Sequence, residues 1–295
     1  MNGRICVVGG NGMLGSSLIP YLRELGHTVF CLSRKHLVGD ENIAVDFHSD
    51  CSVSNALDAC QPLVIINLAA LTDVDLCERE PHAAYLANVK VVEVISGWLN
   101  KNQNCRFIQI STDQIYDGQG PHSESDIKIK NHYGFSKYAG ELVAVSVGGT
   151  VLRTNFFGKS MSAGRESFSD WAYKALIKQN DMSVFEDVLF SPLSMKTLTE
   201  CIGLVITNPI SGIYNLGSRE GLSKAEFIFT LADILDLNTK NIKKTSYCDQ
   251  GFATPRPLDM RMNSGKFELI YYGGVMPTLE NEIKLIKEDY SYEVR

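Results

Sequence analysis

The sequence predicts an α/β protein with a doubly wound, mostly parallel sheet that carries helices on both faces. Short runs rich in Val, Ile and Leu alternate with amphipathic helical segments through the first half of the chain. The run PLVIINLAA is apolar throughout, as expected of a strand buried on both faces of a parallel sheet. A glycine-rich turn at the first strand-to-helix connection is typical of the same fold class.

The composition is that of an ordinary globular enzyme. The chain has 295 residues, of which 44% are hydrophobic and 21% charged, with a net charge of -6. This charge offers no attraction to nucleic acid or to an anionic membrane, and no apolar run reaches the roughly 18 residues of a membrane span. We expect a cytoplasmic protein without a signal peptide, with its eight scattered cysteines reduced. The histidines lack metal-ligand spacing, so no metal site is predicted.

The first strand, RICVV, leads directly into the glycine-rich turn. Gly9, Gly12 and Gly15 form a G-x-x-G-x-x-G pattern ahead of an amphipathic helix. Glycine permits the tight turn and lets the backbone approach a pyrophosphate, which then lies at the helix N-terminus. We therefore predict a dinucleotide site of Rossmann type, with a purely structural glycine turn as the alternative.

The second and third strands end in residues that favour a particular cofactor. HTVFCLSR ends at Ser33 and Arg34, followed by Lys35, where NAD-specific sites usually offer an acid to the ribose. An arginine there can hold a 2′-phosphate, so we predict NADPH, with NADH as a possible substitute. The alternative is that these cations are solvated. ENIAVDF ends at Asp46 and Phe47, placed to flank an adenine ring, although Phe47 could equally belong to the core.

The fourth strand ends at Ala69 and Ala70, whose small side chains would let a ribose lie close to the backbone. A long helix is predicted from about Pro81. Asn88 is the polar exception on its apolar face, so we expect its side chain to form hydrogen bonds.

The fifth strand, CRFIQIS, ends at Thr112, and Tyr133 and Lys137 follow at the predicted start of a helix. Their i, i+4 spacing places the phenol and the ammonium on one helical face. A nearby cation would lower the pKa of Tyr133 from about 10 toward neutrality, so the phenol could exchange a proton with a substrate oxygen. The alternative is a half-buried tyrosine over a solvated lysine.

The second half of the chain is less regular, and we predict two domains. Residues 1–157 would form the cofactor-binding domain, and residues 158–295 a smaller α/β substrate-binding domain interleaved with it. LSKAEFIFTLADILDL is predicted to be a helix with Ser223 as N-cap and Glu226 completing a capping box. Arg256 and Arg261 are candidates to contact an anionic group of a substrate, with surface salt bridges as the alternative.

Several motifs together resemble the extended short-chain dehydrogenase/reductases: the glycine turn, NLAALTDVDLCEREP, STDQIYDG, YGFSK, LRTNFFG, FSPLSMKTL and TPRPLDMR. Within that family the chain is similar to the dTDP-4-dehydrorhamnose reductase group, which reduces nucleotide-linked 4-keto-6-deoxysugars. The resemblance implies NADPH as cofactor, a nucleotide sugar as substrate, and a role in surface polysaccharide synthesis. It is also compatible with a homodimer.

The resemblance implies a role for each residue that matches a family motif. Tyr133 would donate a proton when hydride attacks the C4 ketone, Lys137 would bind the nicotinamide ribose and tune Tyr133, and Thr112 would bond the substrate oxygen. The implied pyrophosphate-binding residues are Gly9, Asn11, Gly12, Met13 and Leu14. The implied substrate-binding residues are Thr72, Asp113, Gln114, Asn155, Phe156 and Arg256.

Departures from the family pattern limit the reaction. Related 4,6-dehydratases carry an Asp-Glu pair after this threonine, whereas this chain has Asp113 and Gln114, and an amide cannot act as a general acid or base. The reductase group often has an aromatic residue at position 114 and a Trp near position 156, so the sugar and the base stay open. The other hypotheses are a nucleotide-sugar epimerase, and a non-catalytic NADP-binding regulatory subunit resembling the methionine adenosyltransferase beta subunit.

Overall fold

The computed structural model describes residues 3–34, 39, 41–47 and 49–291. Two compact units emerge from its internal contacts. Unit 1 comprises Met1–Thr112, Asn131–Arg153 and Ile202–Tyr214, and unit 2 comprises Asp113–Lys130, Thr154–Cys201 and Asn215–Arg295. The predicted functional division at residue 157 stays a prediction.

The elements are numbered along the whole chain. The strands are β1 (Arg4–Val8), β2 (Thr28–Ser33), β3 (Asn42–Ala44), β4 (Val64–Asn67), β5 (Arg106–Thr112), β6 (Thr150–Thr154), β7 (Phe156–Phe157), β8 (Met182–Phe185), β9 (Leu189–Phe190), β10 (Leu193–Ser194), β11 (Gly212–Leu216), β12 (Leu222–Ser223) and β13 (Ile242–Thr245). The α-helices are α1 (Met13–Glu24), α2 (Asp50–Cys60), α3 (Val74–Arg79), α4 (Pro81–Tyr85), α5 (Val91–Leu99), α6 (His132–Ser146), α7 (Phe168–Ile177), α8 (Met195–Thr207), α9 (Lys224–Ile234), α10 (Gly265–Phe267), α11 (Leu279–Leu285) and α12 (Lys287–Ser291).

Unit 1 is built on a seven-stranded sheet in the order β3-β2-β1-β4-β5-β6-β11. β1 pairs in parallel with β2 and β4, β2 with β3, and β4 with β5. The strand order reverses between β1 and β4, and ligands of such sheets bind beyond the carboxyl ends of the strands at this switch point. The predicted doubly wound α/β fold is confirmed. The strand predicted at GIYNLGS is β11, which extends this sheet beside β6.

The helices of unit 1 follow the apolar spacing of the sequence. In α2, Ser49 is the N-cap and accepts a hydrogen bond from the Ser52 backbone N–H at 3.3 Å. Its apolar residues Val53, Leu57 and Cys60 recur at helical spacing, and all three are buried. They belong to one hydrophobic cluster with strand residues of the sheet, which fixes the helix against the sheet.

The long helix predicted from Pro81 is present but is not uniform. α4 and α5 are joined by a π-helical turn, Leu86–Lys90, which contains Asn88. A π-helical turn accommodates one extra residue within an α-helix, and such turns are frequent at functional sites.

Unit 2 has short strand pairs and a hydrophobic core that includes the aromatic side chains of Phe157, Phe190 and Phe227. β10 pairs with β7 and β13 with β8, both in parallel, and β12 pairs with β9 antiparallel. The predicted capping box of α9 is confirmed: the Glu226 N–H donates to Ser223 Oγ at 3.1 Å, and the Ser223 N–H donates to Glu226 Oε2 at 2.7 Å. This box fixes where α9 begins.

No helix in the described ranges combines the length and apolarity that a membrane crossing needs. Nor do they contain a group of three or more His, Cys, Asp or Glu side chains placed to hold a metal ion.

Candidate active site

The glycine turn after β1 brings two strand ends of unit 1 into backbone contact. Gly9 has a φ of +77°, and a Cβ added there would lie 2.7 Å from the Ala69 nitrogen. The Gly9 N–H donates to the Leu32 carbonyl at 2.7 Å, and the Gly12 N–H donates to the Gly9 carbonyl at 3.1 Å. Glycine is therefore required at position 9 by both conformation and space.

The start of α1 fits a bound pyrophosphate. Gly12 is the N-cap, it makes no side-chain cap, and the first turn, which begins with Met13 and Leu14, contains no acidic residue. The backbone N–H groups at this end of the helix thus remain for an anion, which the helix dipole also favours. Gly15 lies against the Gly10 backbone with no room for a side chain, which holds the helix close to the turn. Asn11, within the turn, is half-buried.

The loop after β4 continues the same edge of the sheet. Ala69 and Ala70 are half-buried, and Thr72 is exposed. Asp73 caps α3 by accepting a hydrogen bond from the Leu76 N–H at 2.9 Å. Contact of Ala69 and Ala70 with a ribose stays a prediction.

The residues predicted to bind the adenosine half occupy different environments. Ser33 is buried and Arg34 is exposed at the end of β2, while Lys35 lies outside the described residues. β3 ends at Ala44, before Asp46 and Phe47, rather than at those residues as predicted. Asp46 is exposed, whereas Phe47 is only 8% exposed and belongs to the core cluster of unit 1. Contact of Asp46 and Phe47 with the adenine stays a prediction.

We expect Arg34→Ala to raise the Kd for NADPH about tenfold or more and to leave that for NADH unchanged, because a charge-assisted bond to the 2′-phosphate would be lost. Fluorescence titration of both cofactors measures this. Arg79→Ala, which removes another exposed arginine of unit 1, serves as the control. Equal weakening of both cofactors would contradict the assignment of Arg34 to the 2′-phosphate.

Tyr133 and Lys137 lie in the first turns of α6, as predicted. Asn131 is the N-cap and accepts a hydrogen bond from the Gly134 N–H at 2.9 Å. Both side chains are buried, with Tyr133 6% and Lys137 5% exposed. The alternative of a tyrosine over a solvated lysine is therefore wrong.

The Lys137 ammonium is held against the strand that ends at Thr112. Its Nζ donates a hydrogen bond to the Ile110 carbonyl at 2.8 Å. Burial lowers the pKa of Lys137 to about 8, and the carboxylate of Glu141, one turn further along α6, opposes this by raising it. The ammonium and the neutral amine are thus both accessible near neutral pH. Lowering of the Tyr133 pKa by this cation stays a prediction.

Hydrogen bonds of Asn88 fix the turn of α6 that carries Tyr133. Asn88 accepts from the Leu71 N–H at 2.8 Å, and its Nδ2 donates to the Leu71 carbonyl at 3.1 Å and to Ser136 Oγ at 2.8 Å. Ser136 in turn donates to the Tyr133 carbonyl at 2.9 Å. The expectation that Asn88 forms hydrogen bonds is confirmed, and its π-helical turn is part of the support of the site.

Two buried amides that the sequence analysis missed connect the loop after β4 to Lys137. Asn67 accepts from the Ala69 N–H at 3.1 Å and donates to Gln109 Oε1 at 2.8 Å. Gln109 donates to the Ile110 carbonyl at 2.9 Å, the same oxygen that receives Lys137 Nζ. Single polar residues inside the apolar runs VIIN and FIQI were the signal for this connection.

The sequence analysis also missed a buried ion pair formed by Glu141, which lies one turn after Lys137 on α6. Arg153 and Glu141 are both fully buried, and Arg153 Nη2 donates to Glu141 Oε2 at 2.7 Å, with Nε within 3.1 Å of both carboxylate oxygens. Ser111 donates a further hydrogen bond to Glu141. Three consecutive elements, β5, α6 and β6, are therefore joined by charged hydrogen bonds.

Unit 2 places predicted substrate residues around Asp113, its first residue. Asn155 Nδ2 donates to Asp113 Oδ2 at 2.7 Å, and the Asn155 carboxamide oxygen accepts from the Phe156 N–H at 2.8 Å. Asp113 is 1% exposed, and its carbonyl accepts from the Tyr116 N–H at 3.1 Å in a turn that contains Gln114. Asn155 and Phe156 are half-buried.

The two candidate arginines of unit 2 differ in their contacts. Arg256 lies with its guanidinium carbon 4.8 Å from the Phe252 ring centre, and its Nη1 donates to the Thr254 carbonyl at 3.0 Å. Arg261 forms a salt bridge with Asp259 at 2.6 Å. The charge of Arg261 is therefore balanced by Asp259, and contact of Arg256 with an anionic group of a substrate stays a prediction.

Curated proteins of similar sequence are sugar-biosynthesis proteins. The chain is 29% identical over 259 residues to the spore coat polysaccharide biosynthesis protein SpsK of Bacillus subtilis, covering 86% of this chain and 87% of that protein. It is 25% identical to the probable low-salt glycan biosynthesis reductase Agl14 of Haloferax volcanii, over 97% of both chains. It is 28% identical to the dTDP-4-dehydrorhamnose reductase of Shigella flexneri, over 90% of both chains.

Solved structures and a family model agree with the fold. The dTDP-4-dehydrorhamnose reductase of Bacillus anthracis, in complex with NADP, superposes with a TM-score of 0.87 at 24% identity, covering 98% of this chain and all of that one. The WbmG enzyme of Bordetella bronchiseptica, in complex with NAD and UDP, gives 0.82 at 19% identity, covering 99% and 96%. The family model described as RmlD substrate binding domain matches residues 3–291, and the chain therefore belongs to that family.

Proposed function

We propose that the protein is an NADPH-dependent reductase of a nucleotide-linked 4-keto-6-deoxysugar, acting in the biosynthesis of a polysaccharide or glycan. The observation that carries this is the pair on α6: Tyr133 and Lys137 are both buried on one helical face, with the lysine bonded to the strand that ends at Thr112. The names of the relatives, which include a dTDP-4-dehydrorhamnose reductase, support the substrate class. The start of α1, where the N-cap Gly12 provides no side-chain cap, supports the assignment of a dinucleotide cofactor.

Each residue of the pair has a separate task in this reaction. NADPH, when bound, supplies the hydride that reduces the C4 ketone. Tyr133 donates its phenolic proton to the oxygen of that carbon, and Thr112 donates a hydrogen bond to the same oxygen. Lys137 binds the nicotinamide ribose and holds a positive charge near the phenol, which lowers the pKa of Tyr133. Gly9, with the first turn of α1, binds the pyrophosphate.

The other predicted residues bind the two ligands in this proposal. Besides Lys137 and Gly9, the proposed cofactor contacts are Asn11, Gly12, Met13, Leu14, Ser33, Arg34, Asp46, Phe47, Ala69 and Ala70. The substrate contacts are Thr72, Asp113, Gln114, Asn155, Phe156 and Arg256. Support for the substrate set is strongest at Asn155, whose amide is fixed by Asp113 and by the Phe156 N–H.

A screen of nucleotide-linked 4-ketosugars tests the function. We expect stoichiometric oxidation of NADPH, followed at the nicotinamide absorbance, together with a 4-hydroxy product in the NMR spectrum. TDP- and UDP-linked substrates should be compared, since the base is the open variable. A sugar nucleotide converted without net NADPH oxidation would replace the proposal by an epimerase. Tight NADPH binding with no turnover on any substrate would leave a regulatory subunit.

We further propose a cytoplasmic homodimer in which α6 contributes to the interface. Phe135 and Leu142, one heptad apart on this helix, are 60% and 52% exposed, an apolar surface that a second copy would cover. The eight free cysteines suit a reducing compartment. Sedimentation equilibrium should give twice the chain mass, and Phe135→Glu with Leu142→Glu should reduce it to one. A wild type that sediments as a monomer would refute the dimer.

A further inference from the structure

We propose that Lys224 is an additional substrate-binding residue whose ammonium, together with Arg256, binds the diphosphate of the nucleotide sugar. This inference rests on the proposed function, because it names the part of that substrate which unit 2 recognises. Lys224 lies in none of the motifs that carry the family resemblance. Its surroundings are set by the packing at the start of α9.

The ammonium of Lys224 lies against two aromatic rings but has no hydrogen-bond acceptor among the described residues. Its Nζ lies 4.8 Å from the ring centre of Phe168 and 5.5 Å from that of Phe190. Within the described part of the chain, no hydrogen bond or ion pair reaches this Nζ. An ammonium has three N–H donors, and the ring faces attract its charge without satisfying those donors. A ligand oxygen would therefore supply the hydrogen-bond acceptor that the rings do not provide.

Lys224 is the first residue of α9, directly after the N-cap Ser223. The N-terminal end of a helix carries a partial positive charge, so a lysine there is disfavoured relative to an acidic residue. The carboxylate of Glu226 in the same turn accepts from the Ser223 N–H in the capping box and offsets part of that positive charge. The case for a bound anion therefore depends on the unsatisfied ammonium rather than on the helix end.

The neighbouring charges also suit an anion. Burial lowers the pKa of Lys224; the nearby carboxylate of Asp113 opposes this shift and the guanidinium of Arg256 adds to it. Asp113 is at the same time the acceptor of the Asn155 amide. A diphosphate presents several anionic oxygens, which can accept from both the ammonium and the guanidinium.

Lys224→Met tests this, because methionine keeps an unbranched chain against Phe168 and Phe190 while removing the charge. We expect the Kd for thymidine diphosphate, measured by calorimetry, to rise about 10- to 100-fold. The KM for the ketosugar nucleotide should rise in parallel while kcat changes little, since the reacting carbon is not touched. Thymidine, which lacks phosphates, and NADPH should bind as before. Lys224→Arg should restore most of the affinity.

Lys244→Met is the matched control, since Lys244 is an exposed lysine of unit 2 whose Nζ lies 5.6 Å from the Phe229 ring centre. It should leave both constants unchanged. An unchanged thymidine diphosphate Kd in Lys224→Met would overturn the inference while the reductase proposal stands. Loss of turnover in wild type with binding retained would refute the function but leave the diphosphate site. If the methionine variant does not fold, Lys224→Gln and Lys224→Arg supply the same comparison.

Discussion

Tyr133→Phe is expected to lower kcat for ketosugar reduction by about 10²- to 10⁴-fold, the usual contribution of a positioned general acid. The ring is 6% exposed and packs in one cluster with Val74, Cys77 and Ala84, so phenylalanine keeps these contacts. Only the phenolic proton donor is removed. The Kd for NADPH should therefore stay within about threefold of wild type, because the change acts on proton transfer rather than on cofactor binding.

The matched control is Tyr138→Phe, which removes the hydroxyl of a half-buried tyrosine further along α6. It should retain wild-type kcat. Stopped-flow measurement of NADPH oxidation in a single turnover separates chemistry from product release. Retention of more than a tenth of the wild-type single-turnover rate in Tyr133→Phe would remove Tyr133 as the proton donor and leave a bound water as the source.

The sequence predicts the local geometry of the candidate site where that geometry depends on the spacing of neighbouring residues. Gly9 was identified because a strand, a glycine turn and a helix follow one another, and Tyr133 and Lys137 because i and i+4 share a helical face. Asn88 was recognised as a polar residue on an apolar face, although its partners Leu71 and Ser136 could not be named. Their positions depend on which loop and which helix pack together.

Residues defined by long-range packing were missed or left open. The sequence left Phe47 either beside the adenine or in the core, because alternation alone does not fix which side of the sheet a ring enters, and the structure places its ring in the core cluster of unit 1. Glu141 was not singled out, because its buried partner Arg153 lies on a different element, β6. Lys224 was not singled out either, because its proposed role depends on Phe168 and Phe190, which are distant in sequence.

Arg153→Met is expected to destabilise the protein by about 3–5 kcal/mol, because it leaves the carboxylate of Glu141 buried without its counter-ion. A loss of this size should lower the melting temperature by on the order of 10 °C. Glu141→Gln alone should be destabilising in the same way, since it leaves the Arg153 guanidinium unpaired. The double variant removes both charges and should recover most of the loss. Thermal unfolding followed by circular dichroism measures all four proteins, and additive losses in the double variant would show that the two charges are not coupled.

The activity of the double variant distinguishes structural from electrostatic use of this pair. In wild type, burial lowers the pKa of Lys137 to about 8 even though Glu141 opposes the shift. Without Glu141 the pKa falls further, so a smaller fraction of Lys137 is cationic at pH 8 and Tyr133 is less polarised. The basic limb of the kcat/KM profile should therefore move to lower pH, although stability is restored. A stable double variant with a wild-type pH profile would show that Glu141 and Arg153 serve the fold alone.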